Sequence, residues 1–155
     1  VRALNYKLDL NARNLSTNTS GLIGVVMRDL NRPWLGAFLA GIDRAFANSE
    51  YEILLKCTEG NAMRARRELS TLDGRHAEGL IWCDAENFPS ELRTPAVCLG
   101  FTAPGAYSVT MENAEDAPTF ETGVLVGRMM LKIVAGKPLP GREIRVMRPL
   151  EQTAD

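Results

Sequence analysis

The chain has 155 residues, 45% of them hydrophobic and 24% charged, which suits one globular domain with a sizeable core and excludes disorder, collagen-like repeats and small disulfide scaffolds. Its 18 basic and 19 acidic side chains leave a formal charge of −1. A surface coated in positive charge is therefore excluded, and any contact with nucleic acid must be local.

Residues 1–20 differ from the rest. Arg2, Lys7 and Arg13 oppose only Asp9, and the second half is rich in Asn, Ser and Thr, so the segment reads as an arm outside the core. From Gly21 onward, short β-branched apolar runs alternate with helical stretches, the pattern of βαβ units and a parallel sheet. The first strand spans 22–27. A helix follows over 34–47, with Asn31 as a plausible N-cap, Pro33 in the first turn, and Leu35, Phe38, Leu39, Ile42 and Phe46 on one face. A strand over 51–57 leads to a helix starting at 60–61, with Ala62, Ala65, Leu69 and Leu72 inward, and Gly74 is expected to stop it. Arg64, Arg66 and Arg67 fit a solvated face better than a nucleic-acid patch.

The next strand covers 79–83, followed by a short helix or turn over 85–92 and a strand over 95–99, extending one sheet unit by unit. Residues 100–108 break the rhythm with two glycines and Pro104, although 107–111 fits a short strand. A helix over 117–135, apolar around much of its circumference, is expected to be buried on more than one side. The alternating run 143–147 fits an edge strand.

Several chemistries lack support. His76, the only histidine, sits in a turn, so neither a Ser-His-Asp triad nor a His-rich metal site can be assembled. No G-x-G-x-x-G follows the first strand, and no G-x-x-x-x-G-K-[ST] occurs. The expectation is a protein that is not an enzyme and uses no cofactor or metal. Cys57, Cys83 and Cys98 end apolar runs, and their odd number points to reduced thiols in a cytoplasm. A mature secreted chain would look the same. No apolar stretch is long enough to span a bilayer, and the N-terminus lacks the pattern of a secretory signal.

Two spans carry a family resemblance. Leu4-Asn5-Tyr6, Asn11-Ala12-Arg13-Asn14-Leu15 and Thr19-Ser20-Gly21-Leu22-Ile23-Gly24-Val25-Val26 follow one another without gaps. Further on come Asp29-Leu30-Asn31-Arg32-Pro33-Trp34-Leu35, Gly41-Ile42, Tyr51 and Ala77-Glu78-Gly79-Leu80-Ile81. These resemble the lactose-repressor (LacI/GalR) family of bacterial transcription regulators, with Trp34 in place of another aromatic and Glu78 in place of the usual Asp. Residues 108–111, Gly123, Gly127 and 135–138 are similar to a late section of that family. The resemblance implies a doubly wound α/β parallel sheet, one lobe of a type I periplasmic-binding-protein-like domain. It places the end of a headpiece and a hinge in 1–20 and the effector-binding lobe in 21–155. Most of a second lobe, expected between about 101 and 108, and most of the helix-turn-helix headpiece are missing from these residues.

The implied function is a regulator, in the usual case a repressor, whose affinity for operator DNA responds to a small metabolite, a sugar in the first instance. Asn11, Ala12, Arg13, Asn14 and Leu15 would form the hinge, with Leu15 as the minor-groove wedge and the polar residues contacting phosphates. A linker whose Leu15 packs on the domain is the plainer alternative. Leu8 and Ser16 depart from the family's pattern, where proline and a basic residue are common. Relatives act as homodimers, and the exposed faces of helices 34–47 and 61–72 are candidate interfaces. In parallel α/β sheets ligands gather beyond the carboxyl ends of the strands. Asp29 and Asn31 would hydrogen-bond hydroxyls there, Trp34 would stack on a sugar ring, and Thr58 and Asp84 are further candidates from their strand-end positions. Asn31 as a simple cap and Trp34 packed beneath the loop are the structural alternatives. A periplasmic sugar-binding protein with no DNA-binding activity is the rival function.

Overall fold

Six short apolar runs pair into one all-parallel sheet, with strands β1 Leu22–Met27, β2 Glu52–Cys57, β3 Gly79–Trp82, β4 Ala96–Leu99, β5 Tyr107–Met111 and β6 Glu143–Val146. Among the described residues three α-helices connect them: α1 Leu35–Phe46, α2 Ala62–Gly74 and α3 Phe120–Val134. This computed structural model describes residues 19–147, so Asn11, Ala12, Arg13, Asn14 and Leu15 lie outside the described residues. The strand order is β2-β1-β3-β4-β5-β6. The sheet therefore does not simply grow unit by unit: β3 lies on the far side of β1 from β2, and growth reverses between β1 and β3. Five of the six residues of β1 are buried, as a strand flanked on both sides requires.

Side chains alternate across the sheet with period two. Ile23, Val25 and Met27 join Ile81, Val97, Leu99 and Val109 under α1 and α3. Val26, Leu80, Trp82, Ala96 and Cys98 face the other way, against Ala65 and Leu72 of α2. The sheet is thus doubly wound, as the family resemblance implies. Between α1 and α3 the backbones nearly touch. A Cβ added at Gly41 would collide with the Phe120 carbonyl and lie 2.8 Å from the Val124 nitrogen, and one added at Gly123 would collide with the Phe38 carbonyl. Only glycine permits this approach.

Three helix boundaries differ from the sequence expectation. Asn31 is not the cap of α1: the helix begins after Trp34 with no side-chain cap, because a turn in which Leu35 N–H donates to the Arg32 carbonyl (3.1 Å) comes first. Asn61 does cap α2, accepting from the Arg64 N–H at 3.0 Å, but Gly74 does not stop it. His76, at φ 59°, takes the left-handed position, with Ala77 N–H donating to the Leu72 carbonyl and His76 N–H to that of Asp73. That is a Schellman closure with histidine where glycine is usual. Helix α3 starts at Phe120 rather than 117, because Thr119 and Thr122 close a reciprocal capping box just after Pro118. Its burial is also uneven: Val126, Met129 and Met130 are buried, while Phe120 is exposed.

The expected turn after β3 is a single 3-10 turn, Ala85–Asn87. Strands β4 and β5 are parallel neighbours joined only by residues 100–106, with no helix between them. Parallel crossovers ordinarily need a dozen residues or more. Gly100 and Gly105, both at positive φ, tighten the link. The α2 side of β5 and β6 consequently has no helix of its own and is polar, with Thr110 Oγ1 donating to Glu143 (2.8 Å) and Arg145 close to the same carboxylate.

Candidate ligand-binding site

The reversal between β1 and β3 defines the switch point of the sheet, where loops leaving adjacent strands diverge and open a crevice at their carboxyl ends. An open cavity of about 560 Å³ lies at this end of the sheet. Its walls come from Arg32, Pro33 and Trp34 ahead of α1, Cys83 after β3, Leu99 and Gly100 after β4, Thr110 and Met111 of β5, and the 114–118 loop with Glu115 and Asp116. Trp34 is half-buried, and its ring meets Phe38 edge-on with centroids 5.7 Å apart. Burial raises the Cys83 thiol well above its usual range, with the neighbouring Cys98 adding to the shift, so this wall carries a neutral thiol.

Of the residues expected to bind ligand, only Trp34 lines this cavity. Asp29 and Asn31 fold onto their own turn. The Asp29 carboxylate accepts from the Asn31 N–H at 3.1 Å and pairs with Arg32 at 3.1 Å, and Asn31 is exposed.

Thr58 and Asp84 come together elsewhere, both buried, with the Thr58 hydroxyl donating to Asp84 Oδ2 at 2.6 Å. Asn87 Nδ2 donates to the same oxygen at 2.7 Å, and the Trp82 indole N–H donates to the Asp84 carbonyl at 2.8 Å. Thr58 Oγ1 also accepts from the Gly60 N–H at 3.1 Å. The pair thus ties the end of β2 to the end of β3 and to the 3-10 turn. Asp84 Oδ1 is buried and receives no hydrogen bond from any described residue. A buried carboxylate oxygen in that state calls for a donor, either water or a ligand hydroxyl.

Arg64 also departs from a solvated face. Its Nε donates to the Cys57 carbonyl at 2.9 Å, and its guanidinium pairs with Glu59 at 3.1 Å, whereas Arg66 and Arg67 are exposed. The strand-end rule, when applied to β1, β2 and β3, reaches Trp34, Thr58 and Asp84. Applied equally to β4 and β5, it would have reached Gly100, Thr110 and Met111. Glu115 and Asp116 lie in a loop that carries no periodic signal.

This architecture is an all-parallel α/β sheet covered on both faces, the fold found in one lobe of periplasmic-binding-protein-like chains. A solved chain with this fold is the periplasmic binding protein/LacI transcriptional regulator of Alkaliphilus metalliredigens complexed with D-xylulofuranose, at TM-score 0.54 and 11% identity over 83% of this chain and 56% of that one. No protein-family model matches. In sequence the chain is similar to the ribose operon repressor of Haemophilus influenzae, 27% identical over 93 residues (59% of this chain, 28% of that protein). It is also similar to the ribose operon repressor of Escherichia coli K12, 30% identical over 91 residues (58% and 28%). The chain spans about a quarter of the length of these curated relatives. The resemblance to the lactose-repressor family thus holds in sequence, against repressors, and in fold, against solved regulators of that family. Among the described residues no helix is long and apolar enough to cross a membrane.

Proposed function

We propose that this chain is the sensing lobe, with its lead-in segment, of a DNA-binding transcription regulator, a repressor, whose operator affinity is set by a small sugar. The observation that carries the reading is the cavity at the carboxyl ends of β3, β4 and β5, where Trp34 offers a flat apolar wall and Thr110, Glu115 and Asp116 offer polar groups. Stacking on the ring's C–H face, with hydroxyls satisfied around the rim, is how an aromatic and polar rim select a sugar. Asp29 and Asn31 act through the turn that seats Trp34, and Thr58 and Asp84 through the strand ends they join. Asn11, Ala12, Arg13, Asn14 and Leu15 form the DNA-contacting hinge, and the regulator works as a cytoplasmic homodimer. The seven-residue link 100–106 between two parallel strands supports a junction where a second lobe joins this one in a complete two-lobed protein. Ligand closes the lobes, a coupling of about 1–3 kcal/mol between two sites, and no reaction is catalysed.

The test uses the full-length regulator in an operator gel shift, together with melting shifts in D-ribose, D-xylulose and D-glucose. One of these sugars is expected to raise the melting temperature and change operator affinity, and Trp34→Ala is expected to weaken sugar binding at least about tenfold, roughly 1.4 kcal/mol. Sugar binding with no operator binding at all would instead support a periplasmic sugar-binding protein.

A further inference from the structure

The end of the sheet opposite the cavity holds a hydrogen-bonded junction built around Glu78. Gly21, immediately before β1, is held at both of its backbone polar groups. Its N–H donates to Glu78 Oε2 at 2.9 Å, and its carbonyl accepts from the Glu52 N–H at 2.8 Å. The Glu78 N–H donates in turn to the Leu22 carbonyl at 2.9 Å, so one residue grips two successive positions, once with its side chain and once with its backbone. Tyr51 O–H donates to the other Glu78 oxygen at 3.3 Å. Ser20 Oγ donates to the His76 carbonyl at 2.6 Å and accepts from the Leu22 N–H at 3.2 Å. Gly21 sits at φ +71°, and a Cβ there would stand 3.0 Å from the Glu50 carbonyl oxygen, so its direction is fixed by the backbone as well.

The start of a strand ordinarily frays unless it is tied down. Here a charge-assisted N–H to carboxylate bond, among the stronger kinds, supplies the tie.

We infer that Glu78 is a positioning residue for the segment preceding β1: by holding the Gly21 N–H, its carboxylate fixes where and in which direction that segment leaves the sheet. The inference rests on the proposed regulator reading for its consequence, because that segment carries the proposed DNA-contacting residues. Glu78 does not line the cavity. The six residues of β1 put it roughly 20 Å from the cavity end, at about 3.3 Å per residue. Its removal should therefore reach operator affinity through the junction alone.

The experiment compares full-length wild type with Glu78→Ala, Glu78→Gln and Tyr51→Phe by three measurements: amide exchange at Gly21 and Leu22, operator affinity by gel shift, and D-ribose affinity by calorimetry. Glu78→Ala is expected to speed Gly21 exchange and to weaken operator binding, each at least about tenfold, with D-ribose affinity kept within about twofold. Glu78→Gln keeps an acceptor oxygen but loses the charge and should fall between, and Tyr51→Phe should have the smallest effect. Unchanged Gly21 exchange, unchanged operator affinity, or equal loss of both affinities overturns the inference. If Glu78→Ala does not fold, a Glu78→Gln protein that matches wild type in exchange and operator binding overturns it just as well. A wild type that binds no operator removes the regulator reading, whereas the exchange rate at Gly21 decides separately whether Glu78 holds the junction.

Discussion

The two faces of the sheet are covered by different means. On one face, α1 and α3 meet backbone to backbone through Gly41 and Gly123, and a continuous apolar layer lies beneath them. On the other, α2 is the only α-helix among the described residues, and loops bring Phe88, Leu92 and Phe101 over the rest. The first face is rigid and intolerant of added volume, while the second concentrates its packing in a few large residues. Chief among these is Trp82, fully buried, with Phe88 edge-on at 5.9 Å and its indole N–H on the Asp84 carbonyl. Trp82→Ala should therefore have the largest effect, a loss of about 3–5 kcal/mol in urea unfolding, since it opens a cavity and strips a donor from a buried carbonyl. A loss under about 1 kcal/mol would mean that the loops collapse to fill the gap.

The glycine contact is the corresponding weak point of the rigid face. Gly123→Ala places a methyl where the Phe38 carbonyl stands, and main chain cannot swing aside as a side chain can. A loss of about 2–3 kcal/mol is expected, the upper range for overpacking, despite alanine's better helix propensity. Gly36, also in α1 but with nothing within 4 Å of its added Cβ, supplies the control. Gly36→Ala should stabilise by up to about 1 kcal/mol. If both substitutions behave alike, close approach does not distinguish the faces.

Next in size is the polar joint under the loop-covered face. Asp84→Ala deprives Thr58 and Asn87 of their shared acceptor and should cost about 1–3 kcal/mol, read as a lower midpoint in the same assay. Because Asp84 Oδ1 has no described donor, Asp84→Asn should cost less than Asp84→Ala. The opposite order would show that the amide N–H groups placed at the Oδ1 position are buried without an acceptor.

The parallel sheet was legible because buried strands read as β-branched runs: β1 and β5 fall where the runs 22–27 and 107–111 place them. Strand order was not legible. Nothing in 79–83 itself says that β3 pairs with β1 rather than β2; the only hint lies in β2, whose Glu52 and Lys56 suit an edge strand better than the all-apolar β1 does. Helix ends were legible where a side chain makes the cap, as at Asn61. They were not where backbone geometry decides, as with His76 closing α2 in the left-handed position or the turn that displaces Asn31 from its capping role. In the site, Trp34 was reached by motif and strand-end position together. Thr58 and Asp84 were reached by position alone, which cannot tell that they bond each other instead of facing the cavity. The Glu78 junction escaped because a carboxylate before a strand is indistinguishable, in sequence, from one facing solvent.

The smallest effect separates the faces by pH. Cys98 points into the α2 side, fully buried, and burial pushes its thiol up to about 12 from the ordinary 9.0. In the folded protein it stays protonated where the unfolded chain would ionise. Its contribution to stability is therefore complete below about pH 9 and is lost progressively as pH rises towards about 12. Cys83 and Tyr51 are shifted in the same direction by burial, so wild type should weaken over this range with more than one group contributing. Cys98→Ala removes one of them. Between pH 8 and pH 10 its urea midpoint should fall less than that of wild type, by the equivalent of up to about 1.4 kcal/mol, since a group that ionises only in the unfolded chain contributes about that much per pH unit above its unfolded value. Parallel pH profiles for the two proteins would mean that water reaches Cys98 and that the loops on this face do not seal it as the helices seal the other.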